Sequence, residues 1–220
     1  MSEFVESLAI NDDGKTALTY LRSGLKVNAV MDMGLTPLTA AVFYGQHRVV
    51  KKLISAGADV NLKDKTDSKW TPLVVASFIG WVDITKTLLA AGASPHKGDK
   101  LKATPLHQAA AMGFVEICSI LLAKGAEVSA KNAKQGATPL QIAVMNAALG
   151  ETAYLYRSME QDLAREGYRL PPRARQDYPA TVTLLLKQGL GRKEITKAAM
   201  VARNLGSNEM AKILTFHGTR

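Results

Sequence analysis

Cysteine is nearly absent from this sequence, because Cys118 is the one such residue among 220. A single thiol excludes an intrachain disulfide framework and a multi-cysteine zinc site. Aromatic residues make up 6% of the chain, and acidic residues are scarce, with 19 Asp and Glu against 28 Lys and Arg. The formal net charge is therefore +9. Such a surplus is compatible with an acidic partner, with nucleic acid or with simple solvation of the surface.

Long hydrophobic runs are also lacking. The longest nearly apolar stretch, residues 74–82, is far shorter than the ~20 residues that a membrane span needs. The first residues carry acidic side chains where a secretion signal would carry basic ones, and no apolar run follows them. With 47% hydrophobic and 21% charged residues, the composition is that of a folded protein. The sequence therefore predicts a cytoplasmic protein without a membrane segment.

The tripeptide Thr-Pro-Leu occurs four times at nearly constant intervals. Its copies begin at Thr36, Thr71, Thr104 and Thr138, so the spacings are 35, 33 and 34 residues. An alanine follows five residues after each threonine, and glycines follow nine and twenty-one residues after the first three. A period of this length with several recurring residues indicates stacked structural repeats.

The residues of one unit also explain its local structure. Proline is tolerated in the first turn of a helix because its missing N–H has no partner there, and the preceding threonine can cap the helix. The first glycine interrupts the chain between two helices, and the second ends the next helix in a left-handed conformation. Apolar residues of that second helix recur at helical spacing, as Ile117, Ile120 and Leu121 do. The sequence therefore predicts helix–turn–helix units that bury their apolar faces by stacking.

These units resemble the ankyrin repeat, for example in the segment TPLHQAAAMGFVEICSILLAKGA. The resemblance covers most of residues 1–147 and, more weakly, 178–220. It implies an all-α ankyrin-repeat solenoid of about six helix–turn–helix units. The predicted units are an N-terminal cap repeat (1–33), three regular repeats (34–68, 69–101 and 102–135), a longer fifth repeat (136–190) and a C-terminal cap repeat (191–220).

The fifth repeat departs from the pattern by its length. The glycine that should end its second helix is Gly189, fifty-one residues after Thr138 instead of twenty-one. Thirty residues, 148–177, are therefore predicted to be an insertion. Insertions in solenoids often lie on a functional face. We expect a second contact zone there, formed by Tyr156, Arg165, Arg169, Arg173 and Arg175.

Residues that could carry catalysis are not arranged for it. None of the four histidines pairs with a carboxylate or cysteine at a metal or catalytic spacing. His107 lies where the resemblance implies a histidine that hydrogen-bonds loop backbone. Cys118 lies in the apolar stripe of a helix, which predicts a buried, inert thiol. We therefore expect a non-enzymatic protein with no catalytic residue, metal ion or cofactor.

The resemblance implies that a partner protein binds the concave face, which consists of inner-helix residues and the finger loops between repeats. Its variable positions lie seven and eight residues after each threonine and immediately before it. An apolar stripe at these positions favours a partner, with aromatic side chains as anchors. The alternative is that part of the stripe packs between repeats. The predicted stripe consists of Leu35, Phe43, Tyr44, Trp70, Phe78, Ile79, Met112 and Met145.

The predicted finger loops carry much of the positive charge. Residues 62–70, 95–103 and 131–137 contain eight lysines against three aspartates, a net charge of +5. Such a rim would orient an acidic partner, although simple solvation is the alternative for lysines in loops. Nucleic-acid binding would need basic residues interleaved with stacking aromatics, and Trp70 beside Lys69 is the one local hint. The predicted contacts are Lys63, Lys65, Lys69, Lys100 and Lys102.

Three functional hypotheses follow, and they differ in the partner. The first is a protein-interaction module that is monomeric alone and binds one acidic protein. The second is an inhibitor similar to bacterial immunity proteins, which neutralise a toxin by direct binding. The third, which the sequence favours least, is an adaptor associated with nucleic acid.

Overall fold

The computed structural model describes residues 2–9, 15–24, 26–31, 34–149 and 174–218. These residues form twelve α-helices, and their sole β-type pairing is one isolated bridge between Phe114 and Gln176. The helices are α1 (Ser2–Ala9), α2 (Lys15–Arg22), α3 (Pro37–Phe43), α4 (His47–Ser55), α5 (Pro72–Ile79), α6 (Val82–Ala90), α7 (Pro105–Ala111), α8 (Val115–Ala123), α9 (Pro139–Leu149), α10 (Tyr178–Leu186), α11 (Arg192–Asn204) and α12 (Asn208–Gly218).

The helices form two layers. The first helix of each consecutive pair packs against the first helices of the adjoining pairs, from α1 through α3, α5, α7 and α9 to α11. The second helices, from α2 to α12, contact one another in the same order. This arrangement confirms the predicted all-α solenoid. None of the described helices is long and apolar enough to cross a membrane.

The predicted threonine caps are formed. Thr36 Oγ1 accepts a hydrogen bond from the backbone N–H of Thr39 at 3.1 Å, and Thr71 Oγ1 accepts one from Val74 at 3.3 Å. A proline follows each of these threonines in the first turn of the helix. Because these contacts are local, the same short signal begins α3 and α5 in the same way.

Glycines at the turns between inner and outer helices allow the repeats to approach closely. Gly80 has a φ of 99° and Gly113 a φ of 69°, values that a residue with a Cβ adopts at a cost. A Cβ at Gly80 would also lie 2.8 Å from the ring of Phe114, and one at Gly113 would lie 3.1 Å from the ring of Tyr178. The turn glycines therefore serve packing between repeats as well as backbone conformation.

The core lies between the two layers and between successive pairs. The alanines five residues after each threonine are fully buried, which lets the inner helices pack closely. Val49, Val50 and Leu53 of α4 are buried, whereas Ile54 of α4 and Ile120 of α8 stay partly exposed. Cys118 is buried as predicted, and burial raises the pKa of its thiol.

Asparagines outside the helices join the first three pairs. Asn28 donates through Nδ2 to the carbonyl of Gly57 at 3.3 Å and accepts from the backbone N–H of Asp59 at 2.8 Å. Asn61 makes the equivalent bonds with Gly92 at 3.0 Å and Ser94 at 2.8 Å. Each asparagine thus joins the loop after one outer helix to the corresponding loop of the next repeat.

The fifth pair consists of α9 and α10. Its inner helix α9 has 11 residues, against 7 in α3 and in α7. Its outer helix α10 packs against α8 and α9. Residues 150–173, which include most of the predicted insertion and the predicted contacts Tyr156, Arg165, Arg169 and Arg173, lie outside the described residues.

Candidate protein-binding face

The finger loops are organised around carboxylate and amide side chains that accept backbone hydrogen bonds. Asp64 Oδ1 accepts from the N–H of Thr66 at 3.2 Å, from its hydroxyl at 2.6 Å and from the N–H of Trp70 at 3.1 Å. In the next finger, Asp99 Oδ1 accepts from the N–H groups of Leu101 at 2.7 Å and Ala103 at 2.9 Å. These aspartates therefore hold the fingers in shape.

The lysines and aspartates of the fingers differ in exposure. Asp64 is 4% exposed and Asp99 is partly buried, so only Asp67 among the three aspartates is exposed. The predicted finger lysines all reach solvent, namely Lys63, Lys65, Lys69, Lys100 and Lys102. The fingers consequently present ammonium groups to solvent, while two of their three aspartates are buried or partly buried.

Neighbouring fingers are joined by backbone hydrogen bonds. The N–H of Lys65 donates to the carbonyl of Gly34 at 2.7 Å, and the N–H of Lys100 donates to Ser68 at 2.9 Å. The N–H of Ala133 donates to Leu101 at 2.6 Å in the next finger. We call this continuous row of loops the finger edge. Each finger is therefore bonded to the next one, although the bonded positions differ from one pair of fingers to the next.

The aromatic residues of the predicted stripe form two pairs. The ring centroids of Phe43 and Tyr44 lie 5.4 Å apart in an edge-to-face arrangement, and those of Trp70 and Phe78 lie 5.2 Å apart. All four side chains are partly exposed. Leu35 and Met145 are partly exposed as well. These six side chains are accessible, and their contact with a partner stays a prediction.

The prediction of a surface contact is wrong for two residues of the predicted stripe. Ile79 is 3% exposed and Met112 is 2% exposed, and both belong to the hydrophobic core. Each lies eight residues after its threonine, next to the turn, where an aliphatic side chain packs between adjoining repeats. Tyr44 occupies the same position in its repeat and stays partly exposed. Position eight is therefore not a surface position in every repeat.

His107 has the structural role implied by the resemblance. Its Nδ1 accepts a hydrogen bond from the backbone N–H of Thr104 at 3.1 Å, so the ring proton lies on Nε2, 3.1 Å from the carbonyl of Ala137. Burial lowers the pKa of His107, mainly because a charged imidazolium would lose its water. Among the described residues, no group of three His, Cys, Asp or Glu side chains could hold a metal ion.

A segment that no sequence pattern predicted runs along the turns between inner and outer helices. The N–H of Ala174 donates to the carbonyl of Gly80 at 2.8 Å, and the N–H of Asp177 donates to Gly113 at 2.7 Å. We call residues 174–177 the strap. The turns lie at the opposite end of the inner helices from the fingers, so Arg175, which is exposed, is separated from the finger lysines.

A sequence signal marks where the chain returns to the repeat. Tyr178 precedes Gly189 by eleven residues, as Phe114 precedes Gly125 and Trp81 precedes Gly92. Tyr178 packs over Gly113 as Phe114 packs over Gly80. An aromatic residue at this distance before the terminal glycine could therefore have located the end of the insertion.

Comparisons with known proteins agree with this architecture. A family model described as ankyrin repeats (3 copies) matches residues 2–99, 38–132 and 76–165, more than half of the chain. A curated ankyrin repeat-containing protein of Schizosaccharomyces pombe is 44% identical over 55 residues, which span 24% of this chain and 27% of that relative. Ankyrin repeats are generally protein–protein interaction modules and are typically non-enzymatic. The chain belongs to the ankyrin-repeat family.

Proposed function

We propose that this protein is a non-enzymatic module that binds one partner protein through its concave face and its finger loops. The observation that carries the proposal is the adjacency of charge and aromatic surface at one finger. Lys69 is exposed, and the next residue, Trp70, is partly exposed, with its ring centroid 5.2 Å from that of Phe78 of α5. Aromatic side chains supply much of the affinity in protein interfaces, and charged rims steer the encounter.

The proposal includes an acidic surface on the partner. The exposed finger lysines would attract it from a distance, and the two aromatic pairs would contact it once it docks. Association should therefore slow with rising salt, whereas dissociation should depend on the aromatic residues. We propose that the protein is monomeric before it binds and that it acts in the cytoplasm.

The test is a pair of double variants measured against the partner. Tyr44→Ala with Trp70→Ala should weaken binding by roughly 2–4 kcal/mol if these residues are anchors. Met200→Ala with Phe216→Ala is the matched control, because both are exposed, apolar and located on α11 and α12. Unchanged affinity of a folded Tyr44→Ala, Trp70→Ala protein, measured by titration calorimetry, would exclude this face.

An inhibitory role is a narrower form of the same proposal. An immunity-type inhibitor would abolish the activity of a toxin at one-to-one stoichiometry, whereas a scaffold would leave the activity of its partner unchanged.

The nucleic-acid alternative is tested by the dependence of binding on salt concentration. Binding to nucleic acid should weaken steeply with salt concentration and should be insensitive to the Tyr44 and Trp70 substitutions.

A further inference from the structure

Carboxamide side chains join the first three repeats at equivalent positions of their loops. Asn28 and Asn61 each lie four residues after the glycine that follows an outer helix, namely Gly24 and Gly57. The Nδ2 of each asparagine donates to the carbonyl of the next such glycine, and its Oδ1 accepts from the N–H two residues after that glycine. One neutral carboxamide thus satisfies a peptide carbonyl and a peptide N–H of the following repeat.

The third loop has a histidine at this position. His96 lies four residues after Gly92. Its N–H donates to Ser94 Oγ at 3.3 Å, and the N–H of Asn61 donates to Asp59 Oδ1 at 2.8 Å in the corresponding turn. The backbone is therefore alike, but the side chain acts differently. In the part of the chain that the structure describes, His96 is exposed and its imidazole makes no hydrogen bond.

The peptide groups that a third asparagine would bond are held as in the preceding loops. Gly125 has a φ of 81°, against 86° at both Gly57 and Gly92. The alanine N–H after each of the three glycines donates to a leucine carbonyl, at 3.0 Å after Gly57, 2.9 Å after Gly92 and 3.0 Å after Gly125. Among the described residues, neither the carbonyl of Gly125 nor the N–H of Glu127 has a hydrogen-bond partner. The fourth repeat therefore presents a carbonyl and an N–H that the preceding repeats pair with a carboxamide.

A depression of about 520 Å³ lies at this junction, between the loops of two repeats and the first turn of α11. His96 and Glu127 line it, and the ammonium groups of Lys102 and Lys131 are balanced there by the carboxylates of Glu127 and Glu194. Equal numbers of the two charges give no net preference for an ion. Because Lys102 belongs to the finger edge, the depression adjoins the proposed binding face.

A carboxamide suits the free carbonyl and N–H better than the other polar side chains do. It carries a donor and an acceptor on one carbon, so it can bond both groups at once. A carboxylate has no donor for the carbonyl of Gly125, and an ammonium group has no acceptor for the N–H of Glu127. The two ring nitrogens of His96 point away from each other. The chemistry at this junction therefore favours a neutral amide supplied from outside the chain.

We propose that this junction binds the carboxamide of an asparagine or glutamine side chain of the partner protein. The carboxamide donates to the carbonyl of Gly125 and accepts from the N–H of Glu127. The proposal rests on the proposed function and specifies one contact of the partner beside the finger edge. The partner thus supplies the third member of the series that Asn28 and Asn61 begin.

The experiment follows the backbone amide signals of the full, isotope-labelled chain by nuclear magnetic resonance. The two probes are N-acetyl-asparagine methylamide and N-acetyl-aspartate methylamide, which differ only in a carboxamide or carboxylate. Shifts in weak binding are proportional to affinity, so at neutral pH the asparagine probe should shift the Glu127 signal about fivefold more than the aspartate probe, as one added hydrogen bond predicts. The Ser94 signal is the internal control and should not move, because Asn61 already bonds its N–H.

His96→Asn tests the site from within the chain. Its carboxamide should bond Gly125 and Glu127 as Asn61 bonds the preceding repeat. It should therefore raise the thermal midpoint and abolish the response of the Glu127 signal to the asparagine probe. His96→Leu is the matched control, because leucine has nearly the shape of asparagine without its donor and acceptor. This variant should keep the response and gain no thermal stability.

Four results would overturn the proposal. They are no shift of the Glu127 signal, equal shifts from the two probes, a larger shift from the aspartate probe, and a response that survives in the folded His96→Asn protein. The proposed function fails separately, if the Tyr44→Ala, Trp70→Ala protein binds the whole partner unchanged.

Discussion

The ring of Phe114 lies so close to Gly80 that a Cβ on the glycine would be 2.8 Å from the ring carbon Cζ. Gly80 ends α5, and Phe114 belongs to the following repeat. The same relationship recurs between Gly113 and Tyr178. The glycine at the inner turn is therefore a point of close contact between repeats, and we expect a side chain at that position to disrupt the contact.

Gly80→Ala should destabilise the protein by roughly 2–4 kcal/mol, because it adds steric overlap with Phe114 to an unfavourable φ. Gly57→Ala is the control, since Gly57 has a φ of 86° and a Cβ added there would meet no other part of the protein within 4 Å. That variant should lose only about 1 kcal/mol. Urea unfolding measures the stability of both variants. Equal losses of stability would show that the contact with Phe114 is unimportant.

His107 should make stability depend on pH. Burial lowers its pKa below the ordinary 6.5, so the native state disfavours the proton more than the unfolded state does. The stability from neutral His107 is fully present above pH 6.5 and is lost as the pH falls below it. The carbonyls of Ala137 and Ala130 and the charge of Asp99 oppose the shift without reversing it.

His107→Gln should reduce this loss between pH 7 and pH 5. Gln141 already accepts from the N–H of Thr138 at 3.0 Å in the corresponding position, so glutamine can replace the imidazole as an acceptor. Burial and the charge of Lys51 lower the pKa of His47 as well, so a weaker dependence of stability on pH should persist in this variant. Thermal unfolding at several pH values measures the change, with His96→Gln in an exposed loop as the control. An unaltered slope in His107→Gln would refute the assignment.

Asp64 should be replaceable by asparagine and not by alanine. Its Oδ1 accepts three hydrogen bonds within the finger, and their loss should cost roughly 1–3 kcal/mol in Asp64→Ala. Asp64→Asn keeps an acceptor, as Asn132 does where its Oδ1 accepts from Ala137 at 3.2 Å. In chemical denaturation, the free energy of unfolding of Asp64→Asn should be close to that of the parent protein. A comparable loss in both variants would mean that the carboxylate charge matters.

Tyr178 and Asn146 should act together on one carbonyl. Tyr178 Oη donates to the oxygen of Ala111 at 3.0 Å, and Asn146 Nδ2 donates to the same oxygen at 2.8 Å. Either Tyr178→Phe or Asn146→Ala leaves one donor and should cost about 1 kcal/mol. The double variant leaves neither donor, so its loss of stability should exceed the sum of the losses in the two single variants. Additive values in a double-mutant cycle would contradict this shared role.

Local signals made much of the fold predictable. Thr71, Pro72 and Gly92 act on the backbone within one unit, and their recurrence predicted where helices begin, end and stack. The role of His107 was implied by the resemblance to the ankyrin repeat. The accessible part of the stripe, including Tyr44 and Trp70, was predictable for the same reason, because position within a repeat decides which side of the inner helix a residue occupies.

The remaining features depend on residues far apart in the chain. Whether position eight is exposed depends on the adjoining repeat, so Ile79 and Met112 are buried while Tyr44 is not. The strap bonds Ala174 to Gly80 across 94 residues, a pairing that no local pattern encodes. Periodic sequence thus specifies the repeat and its stacking, because the same short-range forces act in every copy. The exposure of individual side chains depends on contacts between copies that differ.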